Sequence, residues 1–304
     1  MKILERIRGD ERLRLLLLAI PFVVFIFMFS YVPLFGWIYS FFNYKPGIPL
    51  SRTPFVGLEN YALIFTFYKK QIWGVLRNTL IFSSLGLLCS PLPMLFAIFL
   101  NEIKSLRFKK LVQTTTTLPH FISWIIVFSL AFSIFSDSGV VNNILISLGL
   151  IENPTMLLGN SDVVYIFQMM LGWWKSTGWG AIIYIAAISG IDMELYDAAA
   201  VDGAGRFARM RHITVPGLLP TYLVLLLLSI GSIISVGFDQ YFVFYNALVA
   251  DKIEVIDTFV FRVGISKNDY SFATAVGIMK TFISLMLLFS ANNIAKKVRG
   301  EAII

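Results

Sequence analysis

Six apolar runs, each long enough to cross a bilayer, limit what this chain can fold into. They cover Leu15–Phe42, Asn78–Leu100, Leu118–Phe135, Val163–Gly190, Thr221–Phe242 and Ser271–Asn292. A crossing helix needs about 20 mostly apolar residues, because hydrocarbon offers no water and every backbone N–H and C=O must be satisfied within the segment. The expected fold is therefore an all-α integral membrane protein with six transmembrane helices. Composition agrees: 14% of the residues are charged and 57% hydrophobic, whereas soluble domains carry roughly 25% charged residues. The net charge of +7 is read as the Lys and Arg excess that orients membrane proteins, not as a nucleic-acid surface. Cys89 is the one cysteine, and His120 and His212 are the two histidines. No disulfide framework can form within the chain, and neither a metal cluster nor a His-based catalytic site is expected.

Orientation follows from the connecting segments. With the N-terminus inside, the inner segments hold fifteen Lys and Arg residues, from Lys2–Arg14, Lys104–Lys110, Arg206–Arg211 and Lys296–Arg299, against seven outside. That asymmetry places both termini in the cytoplasm. The first run follows a basic start but is too long for a signal-peptide core and lacks a small-residue cleavage site, so it is expected to be retained. Several runs carry helix-disturbing residues: Pro21 and Pro33, then Pro91 and Pro93, then Gly172, Gly178 and Gly180. These are ordinary kinks or the joints of a bundle that bends. Small residues at four-residue spacing, Gly231 with Ser235 and Ala273 with Gly277 and Thr281, predict close helix packing.

Between the fourth and fifth runs the chain reads YDAAAVDGAGRF, Tyr196 to Phe207. Asp192 is a predicted N-cap with Glu194 in the first turn. Ile191, Leu195, Ala198 and Ala199 make an apolar stripe that ends at Gly203, a left-handed stop. A second short helix, Arg206 to Thr214, puts Phe207 and Met210 on one side before Pro216 turns the chain into the fifth run. The result is a helix–glycine–helix elbow on the inner membrane surface. Its GAG tripeptide lacks the third glycine, preceding strand and βαβ unit of a dinucleotide loop, and no Walker-type phosphate loop occurs in the chain.

The spacing of that elbow resembles the EAA loop of ABC-importer permeases, whose pattern is E-A-A, three residues, G, nine residues, I-x-L-P. Here Asp197, Ala198 and Ala199 are followed after three residues by Gly203 and after nine by Ile213, Thr214, Val215 and Pro216. Asp replaces Glu and Val replaces Leu. The segments Phe55 to Tyr61 (FVGLENY) and Gly139 to Leu150 (GVVNNILISLGL) are similar to MalF-type carbohydrate permeases. YVPLFGWIYSFFNYKPG resembles their LplB-like, complex-oligosaccharide branch. The resemblance covers nearly the whole chain.

It implies a type I, MetI-like importer fold: a cytoplasmic N-terminus (1–14), a six-helix permease domain (15–292) with its coupling loop at 191–216, and a cytoplasmic tail (293–304). It also implies alternating access in a bacterial cytoplasmic membrane. The implied partners are a second, similar permease, two ATP-binding subunits that hold ATP and Mg2+, and an extracytoplasmic solute-binding lipoprotein that delivers a carbohydrate. This chain would hold no cofactor and catalyse no reaction. Asp197, Ala198, Ala199, Gly203, Arg206, Phe207, Met210, Ile213 and Pro216 would form the ATPase-coupling surface. An exposed ion pair contributes about 0–1 kcal/mol, while reversing a 1:99 equilibrium takes about 5.5 kcal/mol, so the elbow must act as one docked surface rather than through Asp197 alone.

Ionisable residues inside a span need partners or a cavity. Lys175, beside Trp173, Trp174 and Ser176, is either a sugar-contacting group with stacking indoles or a snorkelling lysine with an interfacial tryptophan anchor. Lys280 is either on the substrate path or paired with the partner permease. Asp239, Gln240 and Tyr241 are candidates for the path entrance, and His120 reads as an interfacial polar residue. The outer stripe of Val141, Ile144, Leu145 and Leu148 packs on the bundle or receives the binding protein. The spans contain no paired carboxylates or nucleophile–base set that would mark an enzyme. Another importer cargo, such as glycerol phosphate, a polyamine or phosphate, is the alternative.

Overall fold

The computed structural model describes residues 11–299. Lys2, Arg6 and Arg8 of the expected N-terminal segment, and residues 300–304 of the expected tail, lie outside the described residues. Among the described residues the structure is helical, with one isolated antiparallel bridge between Phe42 and Phe55 and no β-strand. Among the described residues five helices are long and apolar enough to cross a membrane, or six when a bent pair is taken as one span.

The chain divides into two compact units. The first comprises Met1–Lys69 and Val260–Met279. Its opening span is not a uniform helix. α1 (Glu11–Ile26) runs straight through Pro21, widens to a π turn at Phe27–Tyr31 and tightens to a 3-10 helix at Val32–Phe41, with Pro33 in its first turn. Proline at that position loses no hydrogen bond and suits the φ required. The end of this span is held by the following segment. Asn60, in α2 (Glu59–Phe65), donates to the carbonyls of Ser40 (2.8 Å) and Phe42 (3.3 Å), and the Tyr61 hydroxyl lies 2.9 Å from Ser40 Oγ. The FVGLENY stretch thus supplies the clamp that ends the first span, after a turn at Gly57 with φ +56°.

The second unit comprises Lys70–Phe259 and Lys280–Ile304. The expected second span begins nine residues early, as α3 (Lys69–Leu88), breaks at Cys89–Ser90, and continues as α4 (Pro91–Asn101) with Pro91 opening the new helix. The expected third span is two helices: α5 (Leu106–Phe121) and α6 (Trp124–Phe135), separated where Ile122 is extended and Ser123 caps α6. α7 (Val140–Ser147) follows; its Asn142, 1% exposed, ties the helix to the flanking segments, donating to the carbonyls of Ser136 (2.7 Å) and Thr155 (2.9 Å) and accepting from the Thr155 N–H (2.9 Å).

α8 (Val164–Ser189) is the central helix, packed against α4 and α5 and against α11, defined below. It is unbroken, so its glycines are not kinks. A Cβ at Gly178 would collide with the Thr116 carbonyl of α5, and one at Gly180 would sit 3.2 Å from the Pro93 ring of α4. They let backbones approach, the role small residues take where lipid gives no hydrophobic drive.

After α8 the chain bends by 72° into α9 (Met193–Val201). Then come α10 (Arg206–Arg209), a π turn at Met210–Thr214, and α11 (Val215–Gly231). These three form one continuous rod of 26 residues, Arg206–Gly231. Pro216 does not turn the chain; it lies in the first turn of α11, directly after the π widening, which leaves space for a ring that cannot donate. The expected fifth span also ends early. Helix stops at Gly231, residues 232–238 are turn and extended chain through Gly237 (φ +102°), and only α12 (Asp239–Val243) resumes it. Ser235 therefore shares no helical stripe with Gly231. Gly231 is nonetheless a close-packing point: a Cβ there would lie 2.6 Å from Leu288 of the last helix. Two short helices, α13 (Ala250–Ile253) and α14 (Ile256–Phe261), precede that last helix, α15 (Tyr270–Arg299). In the predicted stripe of α15 the close approach is at Ala273, whose Cβ would lie 3.0 Å from one built at Gly264.

Two buried clusters anchor this unit. One joins Phe82, Val127, Val164, Tyr241 and Phe244 with Val249, Ile253 and Val255; the other joins Met94, Ala97, Ile98, Ala181, Tyr184, Ile188 and Leu218.

Candidate functional site: an intramembrane cavity and an exposed elbow

A cavity of about 630 Å³ lies between the two clusters, sharing Phe82 and Tyr241 with the first and Tyr184 and Tyr222 with the second. α8 forms one wall because Gln168, Gly172, Lys175, Ser176 and Ile183 recur at helical spacing along one face. Of the expected path residues, the structure brings Trp173, Lys175, Ser176, Gln240 and Tyr241 to this cavity. Trp174 is 48% exposed and is not part of the lining, and neither is Asp239 or Lys280. Lys280 instead forms an ion pair with Asp257 of α14, in the same chain rather than in a partner.

The role of Lys175 differs from both expectations. It is 8% exposed, and its ammonium donates to the carbonyls of Pro119 (3.1 Å), His120 (2.7 Å) and Ile122 (2.6 Å), with the Trp124 ring centroid 5.4 Å away. An ammonium has three N–H donors; all three go to backbone. It neither snorkels to an interface nor has a donor left for a hydroxyl. Ser176 donates to the Gly172 carbonyl at 2.7 Å, the usual back-bond of a helical serine.

His120, read from sequence as an interfacial residue, is a cavity residue, stacked on Trp179 at 4.5 Å with an interplanar angle of 2°. Gln240 donates to the backbone carbonyl (2.8 Å) and side-chain oxygen (2.9 Å) of Gln168, so two amides are tied together on the wall. Sequence reasoning missed Gln168, Trp124, Tyr184 and Tyr222. A signal existed for Gln168, a lone amide in an apolar run seven residues before Lys175 and thus on the same helical face. Aromatic faces beside hydroxyl and amide groups suit a ligand with apolar faces and polar edges.

The elbow is the second candidate region of this unit. Asp192 caps α9, accepting from the Glu194 N–H at 2.9 Å. At the opposite end Gly203 takes φ +77°, the Ala204 N–H bonds the Ala199 carbonyl (2.8 Å) and the Gly203 N–H bonds the Ala200 carbonyl (3.1 Å). This is a Schellman stop, which requires the left-handed residue. The two limbs are joined by Tyr196 and Thr214, whose hydroxyls are 2.9 Å apart, and Arg206 lies 4.0 Å from Glu102 at the end of α4. Asp197 and Ala198 are exposed, Ala199 and Ile213 are half-buried, and Pro216 is exposed.

The elbow's apolar residues divide differently from the expected stripes. Ile191 turns back toward Gly217, where a Cβ would lie 2.7 Å from its Cδ1, and Met210 packs on the second buried cluster. Phe207 (72% exposed), Val201 (89%) and Met193 (67%) face outward. Thus Met210 and Phe207 serve opposite sides, and the outward surface is Met193, Leu195, Val201 and Phe207 around Asp197.

A family model for the inner membrane component of binding-protein-dependent transport systems matches residues 89–300. The chain belongs to this family. Similar curated proteins include Protein LplB of Bacillus subtilis, 38% identical over 95% of this chain and 90% of that protein. The polygalacturonan/rhamnogalacturonan transport system permease YteP of the same organism is 37% identical over 95% of this chain and 89% of its own length. Among solved structures, a chain of a bacterial ABC transporter involved in import of the acidic polysaccharide alginate is 32% identical, with a TM-score of 0.85, covering 98% of this chain and 100% of that one. This inner-membrane component therefore shares its overall fold with that transporter chain. Its apolar helices sit in the membrane as the spans of a transport component.

Proposed function

We propose that this chain is one of two permease subunits of an ATP-driven importer that takes up an oligosaccharide by alternating access, with both termini in the cytoplasm. ATP and Mg2+ are held by two separate ATPase subunits, and an extracytoplasmic solute-binding lipoprotein delivers the cargo. The observation that carries this reading is the near full-length similarity to YteP, a permease whose name specifies saccharide polymers, together with the alginate transporter, which was solved in complex with a pentasaccharide-bound periplasmic protein. The cavity supports it through aromatic rings set beside amides and hydroxyls. The elbow is assigned as the coupling helix, with Asp197, Ala198, Ala199, Gly203, Arg206, Phe207 and Ile213 forming the surface that enters the ATPase groove. Met210 holds that surface on the bundle, and Pro216 completes the coupling segment as it enters α11. The path through this chain is lined by Trp173, Ser176, Gln240 and Tyr241, with Trp174, Asp239 and Lys280 outside the lining.

The test is to reconstitute the chain with its partner permease, ATPase and binding protein, then measure ATPase stimulation by neutral oligosaccharides, uronate oligosaccharides, glycerol phosphate, spermidine and phosphate. Stimulation by one of the saccharide classes is expected. Stimulation by a non-saccharide alone refutes the assignment.

A further inference from the structure

We propose that Lys175 is a positioning residue for transport: it caps the broken end of α5 and thereby fixes the cavity wall that carries His120 and Trp124. The proposal rests on reading the cavity as the transport path. α5 ends at Phe121, Ile122 is extended (φ −77°, ψ 132°), and α6 restarts at Trp124. A helix end leaves its last carbonyls without intrahelical donors, and a break at membrane depth must satisfy them from elsewhere in the protein. Lys175 does so from the neighbouring helix, giving its three N–H groups to the carbonyls of residues 119, 120 and 122.

Charge complements geometry. The C-terminal end of α5 carries the negative end of the helix dipole, which a cation stabilises. The lysine is therefore tolerated almost fully buried, a position that is otherwise costly in a span. Both residues flanking the break line the cavity, His120 stacked on Trp179 of α8 and Trp124 beside the ammonium. The α5–α8 approach is fixed at Gly178 against Thr116 and pinned again at the break by Lys175. If the ammonium is removed, the Pro119 carbonyl keeps its bond from the Ile122 N–H (3.2 Å), but the carbonyls of His120 and Ile122 lose the lysine donor, and the segment must re-form helix across residues 122–123 or admit water. Either outcome moves His120 and Trp124.

The chain supplies its own probe. Cys89, its one cysteine, lines the same cavity and is partly exposed. In the assembled transporter, without cargo, N-ethylmaleimide labelling of the Cys89-containing peptide is followed by mass spectrometry for Lys175→Met, Lys175→Gln and Lys175→Arg. Losing charge-assisted hydrogen bonds shifts the balance of wall conformations by about tenfold or more. The Met variant is expected to change the labelling rate by that order, Gln by less because it keeps two donors, and Arg least. Cargo-stimulated ATPase should fall in the same order. A Met variant labelled at the wild-type rate overturns the proposal, as does a Gln variant that loses transport like Met with Cys89 unchanged, the signature of a charge contacting cargo. If the Met variant does not accumulate, equal labelling of the Gln and Arg variants overturns it. Because labelling needs no cargo, a wrong saccharide assignment leaves this result interpretable.

Discussion

Three glycines on α8 give a graded prediction for alanine substitution. At Gly178 the new methyl would overlap the backbone carbonyl of Thr116 and sit 2.8 Å from the Thr117 nitrogen; at Gly180 it would meet Pro93 carbons at 3.2 Å; at Gly172 its nearest neighbour is Gln240 Oε1 at 3.7 Å. Relief at Gly178 requires the α5 backbone to retreat by about 1 Å or more to reach ordinary contact. Since backbone moves less readily than a side chain, the cost lies toward the upper part of the roughly 1–3 kcal/mol typical of overpacking. Replacing a mid-helix glycine with alanine returns about 0.5–1 kcal/mol in every case. The net expectation is about 1–2 kcal/mol lost for Gly178→Ala, near neutrality for Gly180→Ala, and a gain of up to about 1 kcal/mol for Gly172→Ala. Thermal unfolding of the assembled transporter in detergent reads the order directly. A Gly178→Ala protein melting at or above Gly172→Ala would refute the claim that α5 and α8 meet backbone to backbone.

Two further outcomes follow from the ion pair and the elbow. Lys280→Met strands the Asp257 carboxylate, 23% exposed, and should destabilise by about 3 kcal/mol, while adding Asp257→Asn should restore most of it; denaturation midpoints of the two variants against wild type test the coupling. Gly203 has open space around it but φ +77°, so Gly203→Ala should cost about 1 kcal/mol from backbone alone and weaken ATPase co-purification modestly. Gly203→Asn, which tolerates the left-handed region, should stay closer to wild type, and a reversed order would argue against the Schellman stop.

The elbow was legible because its determinants are local: Asp192 bonds two residues ahead and Gly203 stops the helix through its own φ. The spans were legible from length alone, since hydrocarbon thickness sets it. Their interruptions were not. Ile122 and Ser123 break a helix within an apolar run, and residues 232–238 leave helix in a stretch as apolar as its neighbours, so hydropathy registers no change. Proline positions misled in the opposite direction at Pro216, which the chain accommodates within a continuous helix directly after the π turn at Met210–Thr214. In the cavity, residue type identified Trp173, Gln240 and Tyr241, but facing direction separated them from Trp174 and Asp239. The engagement of Lys175 with residues 119–122 depends on the partner helix, which no local pattern encodes.

The continuity of Arg206–Gly231, which runs on through Pro216 and Pro220, joins the elbow to the cavity wall in one helical segment. At 1.5 Å per residue its 26 residues span about 39 Å, so a tilt of about 10° imposed at one end would carry the other through about 7 Å. A hinge at Pro216 would have absorbed such a rotation at the membrane surface. With the π turn as part of the rod, a small rocking of Phe207 becomes displacement beside Ser229, on the cavity wall.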